Sequence, residues 1–283
     1  MSFRSGSIGR RIVGTTCIGL VAALGLAGCG TPPGGAGALS QQRIDAIVAS
    51  PDRSVADRTN DLRRKPAQLL AFIGPRPGMV ALDLSAGGGY TTELLARAVG
   101  PTGRVYGQSA PPRAPSMPPA MPEGGVAAPP APAPRRSSPE ALAARGQNPR
   151  VGPIVAVVQP FESPVPPELA SGGLDLVTLM FNYHDLGHMG VDRAAMNRAV
   201  HAALKPGGLY VIADHSGRPG TGISESGTLH RIEEAFLRAE VERAGFTLAE
   251  SGNFLRNPND PRDRNTPEPP QPKDEFVLKF VKP

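Results

Sequence analysis

The sequence predicts a doubly wound α/β fold, built on a mostly parallel seven-stranded sheet whose last strand runs antiparallel. Short apolar runs of strand type alternate with segments of helical periodicity through most of the chain. A glycine-rich turn at 86–89 joins the first of these runs to a helix, which is the usual opening of such a sheet. No helix is predicted between the last two runs, so we expect them to pair antiparallel.

Each element follows from a local pattern. The first strand, 79–84, is short and mostly apolar, and Tyr90–Val99 after it carries leucine and valine at helical spacing. The run 174–181 is continuously apolar, as expected for a strand that a parallel sheet buries on both faces. The other strands are predicted at 104–107, Ile154–Val158, 209–213, 246–249 and 276–281. The other helices are predicted at Gln41–Val48, 64–72, 192–204 and 228–243.

The N-terminus has the pattern of an export signal. Arg4, Arg10 and Arg11 precede an uncharged run, 12–26, which is shorter than the roughly 20 residues that span a bilayer. The run ends in Leu-Ala-Gly-Cys29, which resembles the lipobox of bacterial lipoproteins. The resemblance implies a signal peptide at 1–28, a diacylglycerol on Cys29 and a membrane-anchored protein on the periplasmic side of the cell envelope. A plain signal peptide and an uncleaved anchor are the alternatives.

This interpretation narrows the chemistry of the rest of the chain. Cys17 is lost with the signal peptide and Cys29 is acylated, so no disulfide partner remains. The formal charge of +5 includes three arginines and no acids from the signal peptide, so the remainder carries +2. Such a charge gives no electrostatic footprint for nucleic acid.

Proline and glycine divide the mature chain. With 33 Pro and 34 Gly in 283 residues, long loops are expected within one domain. We predict a flexible tether at 29–40 and one domain at 41–283. The segment 109–150 is predicted to be a disordered insertion, and 256–273 a proline-rich loop.

The glycine-rich turn carries a family resemblance. Asp-Leu-Ser-Ala-Gly-Gly-Gly-Tyr at 83–90, followed later by Leu-Lys-Pro-Gly-Gly at 204–208 before an apolar strand, resembles the class I S-adenosylmethionine-dependent methyltransferases. Within that class, the turn and an Asn-Tyr-His-Asp segment are similar to a group of predicted bacterial methyltransferases. The resemblance implies a Rossmann-like methyltransferase fold and S-adenosylmethionine as the cofactor. The residues that it assigns to the cofactor are Asp83, Ser85, Gly87, Gly89, Tyr90, Gln108, Phe161 and Glu162.

Two of these assignments depart from the family pattern. Ser85 stands where the family has its first glycine, and Gln108 stands where an acidic residue would hold the ribose hydroxyls. Phe161 and Glu162 follow the third strand, in the region that usually meets the adenine.

Polar side chains follow the fourth and fifth strands. Asn182, His184 and Asp185 come after one strand, and Asp214 and His215 after the next. Ligands of open α/β sheets bind outside the carboxyl ends of the strands, so we expect these residues to face the acceptor. By the resemblance, Asn182 positions a small oxygen or nitrogen acceptor. His184 takes its proton, and Asp185 or Asp214 orients the imidazole.

Two other functions use the same residues. The first is a non-catalytic lipoprotein that binds a ligand in this cleft. The second is a metal-dependent envelope enzyme, in which His184, Asp185, Asp214, His215 and His230 could converge on a divalent ion. Their spacing matches no recognised metal motif, so the sequence assigns no metal.

Overall fold

Seven strands form one sheet in this computed structural model, which describes residues 37–112, 136–267 and 270–283. The strands are β1 (Val80–Leu84), β2 (Arg104–Ser109), β3 (Ile154–Val158), β4 (Leu174–Met180), β5 (Leu204–His215), β6 (Thr247–Gly252) and β7 (Glu275–Val281). Their order in the sheet is β3-β2-β1-β4-β5-β7-β6. The first five pair in parallel, and β7 lies antiparallel between β5 and β6. The predicted fold class and strand sequence are confirmed.

Helices cover both faces of the sheet. They are α1 (Gln41–Val48), α2 (Val55–Arg64), α3 (Pro66–Ile73), α4 (Tyr90–Val99), α5 (Ser138–Gly146), α6 (Asp185–His188), α7 (Arg193–Ala203) and α8 (Glu234–Arg243). The apolar faces of α1, α3 and α4 pack with one side of the strands. The opposite side packs with α7 and α8. Because successive strand residues alternate between the faces, each buried strand contributes to both layers. Within the described residues, no helix is long and apolar enough to cross a bilayer.

The predicted helix 64–72 corresponds to α3, which begins two residues later, and the helix before it, α2, was not predicted. Helix α2 ends at Arg64, Lys65 has a left-handed backbone with φ 44°, and Pro66 begins α3. A proline donates no backbone hydrogen bond and fits best in the first turn of a helix, which explains the break at this position.

The predicted helix 228–243 starts later than expected. Residues 228–233 are not helical, and α8 begins at Glu234. Arg231 is fully buried and pairs with Asp260, while Ile232 bridges to Ser216 beyond the end of β5. The cost of leaving this buried guanidinium unpaired outweighs the helical periodicity. The same contacts hold His230 beside the end of the sheet.

The insertion predicted at 109–150 is partly ordered, which corrects the expectation. Ser109 belongs to β2, and α5 begins after Ser137, whose side chain forms a capping box with Glu140. Leu142 of α5 is fully buried against Gly89 and Gly107. Residues 113–135, the signal peptide with Cys29, and most of the tether lie outside the described residues. In the loop predicted at 256–273, Asp260 makes the buried ion pair with Arg231.

Candidate active site

A cleft of about 350 Å³ opens at the carboxyl ends of β1 and β4. The glycine-rich turn forms one wall of the cleft, and helix α2 forms the other. The volume of the cleft lies within the range of small-molecule sites. The lining includes Asp57, Asn60 and Arg64 from α2, Asp83 to Gly88 from β1 and its turn, Tyr90 and Thr91 from α4, Arg145 from α5, and Met180 and Asn182 from the end of β4. The cleft thus lies where the topology of an open α/β sheet places a ligand.

The glycine-rich turn leaves amide groups available. Gly87 and Gly88 both line the cleft, and their N–H groups donate to no other described residue. A Cβ added to Gly88 would meet nothing within 4 Å, so the space beside it is open. Helix α4 starts directly after Gly89, and the amino end of a helix favours a negatively charged group. This wall suits a carboxylate.

Ser85 adopts the conformation of the glycine that it replaces. Its φ is 52°, a left-handed value that non-glycine residues rarely take. Phe181 after β4 and His230 before α8 also have positive φ values, 63° and 52°. Three of the five such residues in the described chain therefore surround one edge of the sheet. Strained backbone of this kind concentrates at functional sites.

Arg64 places an unpaired positive charge in the cleft. Its guanidinium lies 5.1 Å from the ring of Tyr90 and 4.7 Å from that of Phe181, and its Nε is buried without a hydrogen-bond partner among the described residues. Burial lowers the pKa of Arg64 below its usual value, and the nearby charge of Arg63 lowers it further. Glu275 and Asp83 offset only part of this effect, and neither forms an ion pair with Arg64. The other cation of the cleft, Arg145, is already paired with Asp57 and Glu93. Arg64 thus offers a site for an anion.

Asp83 links three elements. Its two carboxylate oxygens accept hydrogen bonds from Thr92 in α4, at 2.6 Å, and from Thr178 in β4, at 2.7 Å. Burial raises the pKa of Asp83 to about 6, although both hydroxyl groups stabilise its charged form. Tyr90 donates its hydroxyl to Asp61 at 2.7 Å and holds its ring against Arg64. Both residues line the cleft as predicted, and their polar groups are already used within the protein.

Gln108 has a structural position, which corrects the expected ribose contact. Its Oε1 accepts from the backbone N–H of Ser85 at 2.9 Å, and its Nε2 donates to the carbonyl of Gln159 at 2.7 Å. The side chain is fully buried, so both ends of the amide are engaged. The next residue, Ser109, has a buried hydroxyl without a partner among the described residues. A buried hydroxyl without a hydrogen-bond partner indicates a missing polar neighbour. Ser109 comes directly after Gln108, the residue that the sequence assigned to the ribose.

Phe161 and Glu162 also differ from the expectation. The ring of Phe161 is buried in the core on the α7–α8 side of the sheet, and neither residue lines the cleft. Glu162 is exposed and accepts a hydrogen bond from the backbone N–H of Asp192 at 3.3 Å. A core ring is not free to stack on an adenine.

The polar residues after β4 and β5 meet as predicted. Asp214 is fully buried, and its two oxygens accept from Nδ1 of His184 at 2.6 Å and from the backbone N–H of His184 at 2.7 Å. On its other side, Nε2 of His184 lies 3.0 Å from Oδ1 of Asp185. Asn182 donates to Oδ2 of Asp185 at 2.8 Å and also lines the cleft. The cluster therefore adjoins the cleft through Asn182.

Two further histidines complete this edge. The His184 ring lies 5.3 Å from that of His215 and 5.6 Å from that of His230. Nδ1 of His230 is 3.1 Å from Oδ1 of Asp185. Nδ1 of His215 is 3.0 Å from Glu275 but out of line for a hydrogen bond, and burial lowers the pKa of His215.

His184 has a different protonation state from the one expected. Burial alone would lower its pKa, but hydrogen bonds to Asp185 and Asp214 outweigh burial and raise the pKa to about 9. The sequence suggested a base that titrates near neutrality. Two flanking carboxylates, which the sequence alone could not place, account for the difference.

Solved structures with the same architecture include methyltransferases. No family model matches the sequence, and no curated protein is similar to it. One similar structure is a S-adenosylmethionine-dependent methyltransferase from Aquifex aeolicus, with a TM-score of 0.54 and 14% identity over 87% of this chain and 100% of that chain. The chain has a methyltransferase fold. A second, from a complex between the Haloferax volcanii Trm112 methyltransferase activator and a putative methyltransferase, has a TM-score of 0.53 and 16% identity over 87% of this chain and 99% of that one.

Within this methyltransferase fold, the structure distributes the predicted residues in three groups. Asp83, Ser85, Gly87, Tyr90 and Asn182 line the cleft. The histidine edge beside it consists of His184, Asp185, Asp214, His215 and His230. Gly89, Gln108, Phe161 and Glu162 do not line the cleft, and Gly89 begins α4 against Leu142. Sequence reasoning missed Arg64 and Ser109. Arg64 lies in a predicted helix and belongs to no motif. Ser109 is next to Gln108, which the sequence assigned to the ribose instead.

Proposed function

We propose that the chain binds S-adenosylmethionine in this cleft and transfers its methyl group to a small oxygen or nitrogen acceptor. One observation carries the proposal: the open cleft beside Gly87 and Gly88 is lined by Arg64, a partly buried cation whose Nε has no hydrogen-bond partner among the described residues. An amino-acid carboxylate is the group that this cation and the two available amides would bind together.

The protein's own residues would position the two reactants. When bound, S-adenosylmethionine supplies an electrophilic methyl group, which the acceptor takes as its proton leaves and the sulfur keeps the electron pair of the C–S bond. Arg64 and the turn would hold the amino-acid end of the cofactor, and Asn182 faces the cleft from the acceptor side. For such a displacement, alignment of the reactants is the main contribution of the protein.

Calorimetry of the full-length chain with S-adenosylmethionine and S-adenosylhomocysteine tests the proposal. We expect saturable one-site binding of both. Arg64→Met should weaken binding by about tenfold to a hundredfold, because it removes a charge-assisted hydrogen bond. Arg58→Met is the matched control, since Arg58 is an exposed arginine of the same helix, bonded to the carbonyl of Ser50.

A second variant tests the wall of the cleft. Gly88→Leu places a side chain in open space without backbone strain, and we expect it to abolish binding. Ala170→Leu is the control, since Ala170 is exposed, has an ordinary right-handed backbone and does not line the cleft. Absence of binding by the unmodified chain would contradict the proposal. Binding without methyl transfer to any acceptor would favour a ligand-binding protein instead.

We also propose that the chain is exported and anchored through a lipid on Cys29. The support is the sequence alone: three arginines, an uncharged run and a small-small-cysteine ending. Expression in a bacterium, followed by fractionation and mass spectrometry of the N-terminal peptide, tests this. Cys29→Ser should release the protein from the membrane fraction, and Cys17→Ser should not. Retention of Cys17 in the mature protein would contradict it.

A further inference from the structure

We propose that His184, Asp185 and His230 bind one divalent first-row transition-metal ion at the histidine edge. One ligand atom from each residue lies within 4.8 Å of the other two. The proposal concerns the residues of the edge themselves and stands apart from cofactor binding.

The separations of the ligand atoms suit a common ion. Oδ1 of Asp185 lies 3.0 Å from Nε2 of His184 and 3.1 Å from Nδ1 of His230. With metal–ligand bonds of about 2.0–2.2 Å, neighbouring ligand atoms stand about 2.8–3.1 Å apart around a six-coordinate ion and about 3.3–3.6 Å apart around a four-coordinate one. The edge therefore needs only a small adjustment to accept one.

Both central ligands are already oriented by other residues. Asp214 accepts from Nδ1 of His184 at 2.6 Å, which directs Nε2 toward Asp185. Asn182 donates to Oδ2 of Asp185 at 2.8 Å and leaves Oδ1 for the imidazoles. A carboxylate behind a histidine and a hydrogen bond behind a carboxylate are the outer contacts that metal ligands usually have.

The arrangement brings acceptor atoms together. If Nδ1 of His184 carries the hydrogen that Asp214 accepts, the lone pair of Nε2 faces the carboxylate of Asp185 at 3.0 Å. That contact is stable only with a proton or a metal cation between the two atoms. The two alternatives are a metal cation between these atoms and a proton alone, which we call the proton-only edge. They differ in whether the protein binds a divalent ion.

The remaining features define the kind of ion and its access. The side chain of His184 is 4% exposed, whereas those of Asp185 and His230 are 23% and 40% exposed, so the site opens to solvent on one side. Two imidazoles and one carboxylate favour zinc, iron or cobalt over magnesium or calcium. The buried pair of Arg231 with Asp260 fixes the backbone next to His230, so this ligand is held in place before an ion binds.

The ion would narrow the class of acceptor, and this consequence depends on the proposed methyl transfer. Asn182 lines the cleft and donates to the ligand Asp185, so the ion would lie beside the acceptor end of the cleft. A bound ion lowers the pKa of a coordinated hydroxyl group. The acceptor would therefore be a hydroxyl compound whose oxygen coordinates the metal.

Binding of Co²⁺ and Zn²⁺ to the full-length chain, first stripped with a chelator, tests the proposal. We expect one Co²⁺ per chain with visible d–d absorption bands, and displacement of Co²⁺ by one Zn²⁺ in calorimetry. His230→Gln should weaken Zn²⁺ binding at least tenfold, and Asp214→Asn about 10–100-fold. Thermal unfolding and S-adenosylmethionine binding check that His230→Gln remains folded.

His188→Gln is the matched control. The ring of His188 lies 5.8 Å from that of His230, and its Nδ1 contacts Ser226 at 3.0 Å, so it belongs to the same edge but not to the ligand set. Its loss should leave the affinity unchanged. Absence of Co²⁺ bands, or equal weakening by both histidine variants, would overturn the proposal in favour of a proton-only edge. Metal binding without cofactor binding would keep this inference and reject the proposed function.

Discussion

At the scale of the residue, Ser85 shows how the backbone of this site limits its sequence. The turn after β1 requires a left-handed conformation at position 85, and serine takes it with a φ of 52°. Glycine reaches this conformation without steric cost, whereas other residues do not. The departure from the family pattern therefore changes the side chain and keeps the backbone.

We expect Ser85→Gly to stabilise the protein by about 0.5–1 kcal/mol, because it removes this strain. Urea unfolding measures the change. Ser251→Gly, at an exposed position in the extended strand β6, should have the opposite sign. If both variants lose stability, the strain at Ser85 is compensated by a contact that its side chain makes.

Asp83 predicts a pH dependence of stability. Its pKa of about 6 in the folded protein lies above the usual value of 3.8 for an aspartate, so the contribution of Asp83 to stability is fully present below pH 3.8 and is lost as the pH rises through 6. Relative to Asp83→Asn, the wild type should lose about 3 kcal/mol of unfolding free energy across this window. Urea unfolding of both proteins at several pH values measures the difference. Parallel curves would show that the threonine hydroxyls already hold the carboxylate charged.

At the scale of the element, the sequence predicted the strands correctly but misplaced the start of one helix and missed another. All seven strands follow from short apolar runs, and the signal is strongest in β1, β4 and β7, which are buried on both faces. The edge strands β3 and β6 are partly exposed. The start of α8 was misplaced because the buried pair of Arg231 with Asp260 is a long-range contact. Helix α5 was missed although Ser137 and Glu140 form its capping box, a start signal that the surrounding prolines obscured.

Long-range contacts also limited what the sequence could predict about the candidate site. Asn182, His184, Asp185, Asp214 and His215 lie at one edge because they follow the carboxyl ends of the parallel strands β4 and β5, and the sequence predicts both strands. The engagement of Gln108 and the buried state of Phe161 depend on neighbours distant in the chain. Sequence patterns therefore located the site but could not say which polar groups remain available.

Arg145 links α5 to the helices that surround the cleft. It bonds to Asp57 of α2 and Glu93 of α4, and to the carbonyl of Gly88 at 2.6 Å. We expect Arg145→Met to cost on the order of 2 kcal/mol, since it leaves the buried carboxylate of Asp57 without its ion pair and Glu93 with Arg97 alone. Arg150→Met, at an exposed position, should be nearly neutral. Thermal and urea unfolding compare the two, and an equal effect would show that the pairs contribute little.

At the scale of the whole molecule, the proline-rich composition predicts that 113–135 adds little to stability. We expect replacement of this segment by a flexible linker of about ten residues to leave the unfolding free energy nearly unchanged, because loop-closure entropy varies slowly with length. A longer deletion that includes α5 should destabilise the protein, since it removes the buried side chain of Leu142. A large loss from the shorter change would contradict the interpretation.

The position of β7 has a consequence for how the sheet closes. Among the described strands β7 comes last in the chain, yet it lies inside the sheet and alone joins β5 to β6. A polypeptide that emerges from a ribosome amino end first cannot close this sheet until Glu275–Val281 has been made. Until then β5 and β6 each present an unpaired edge to neighbouring chains.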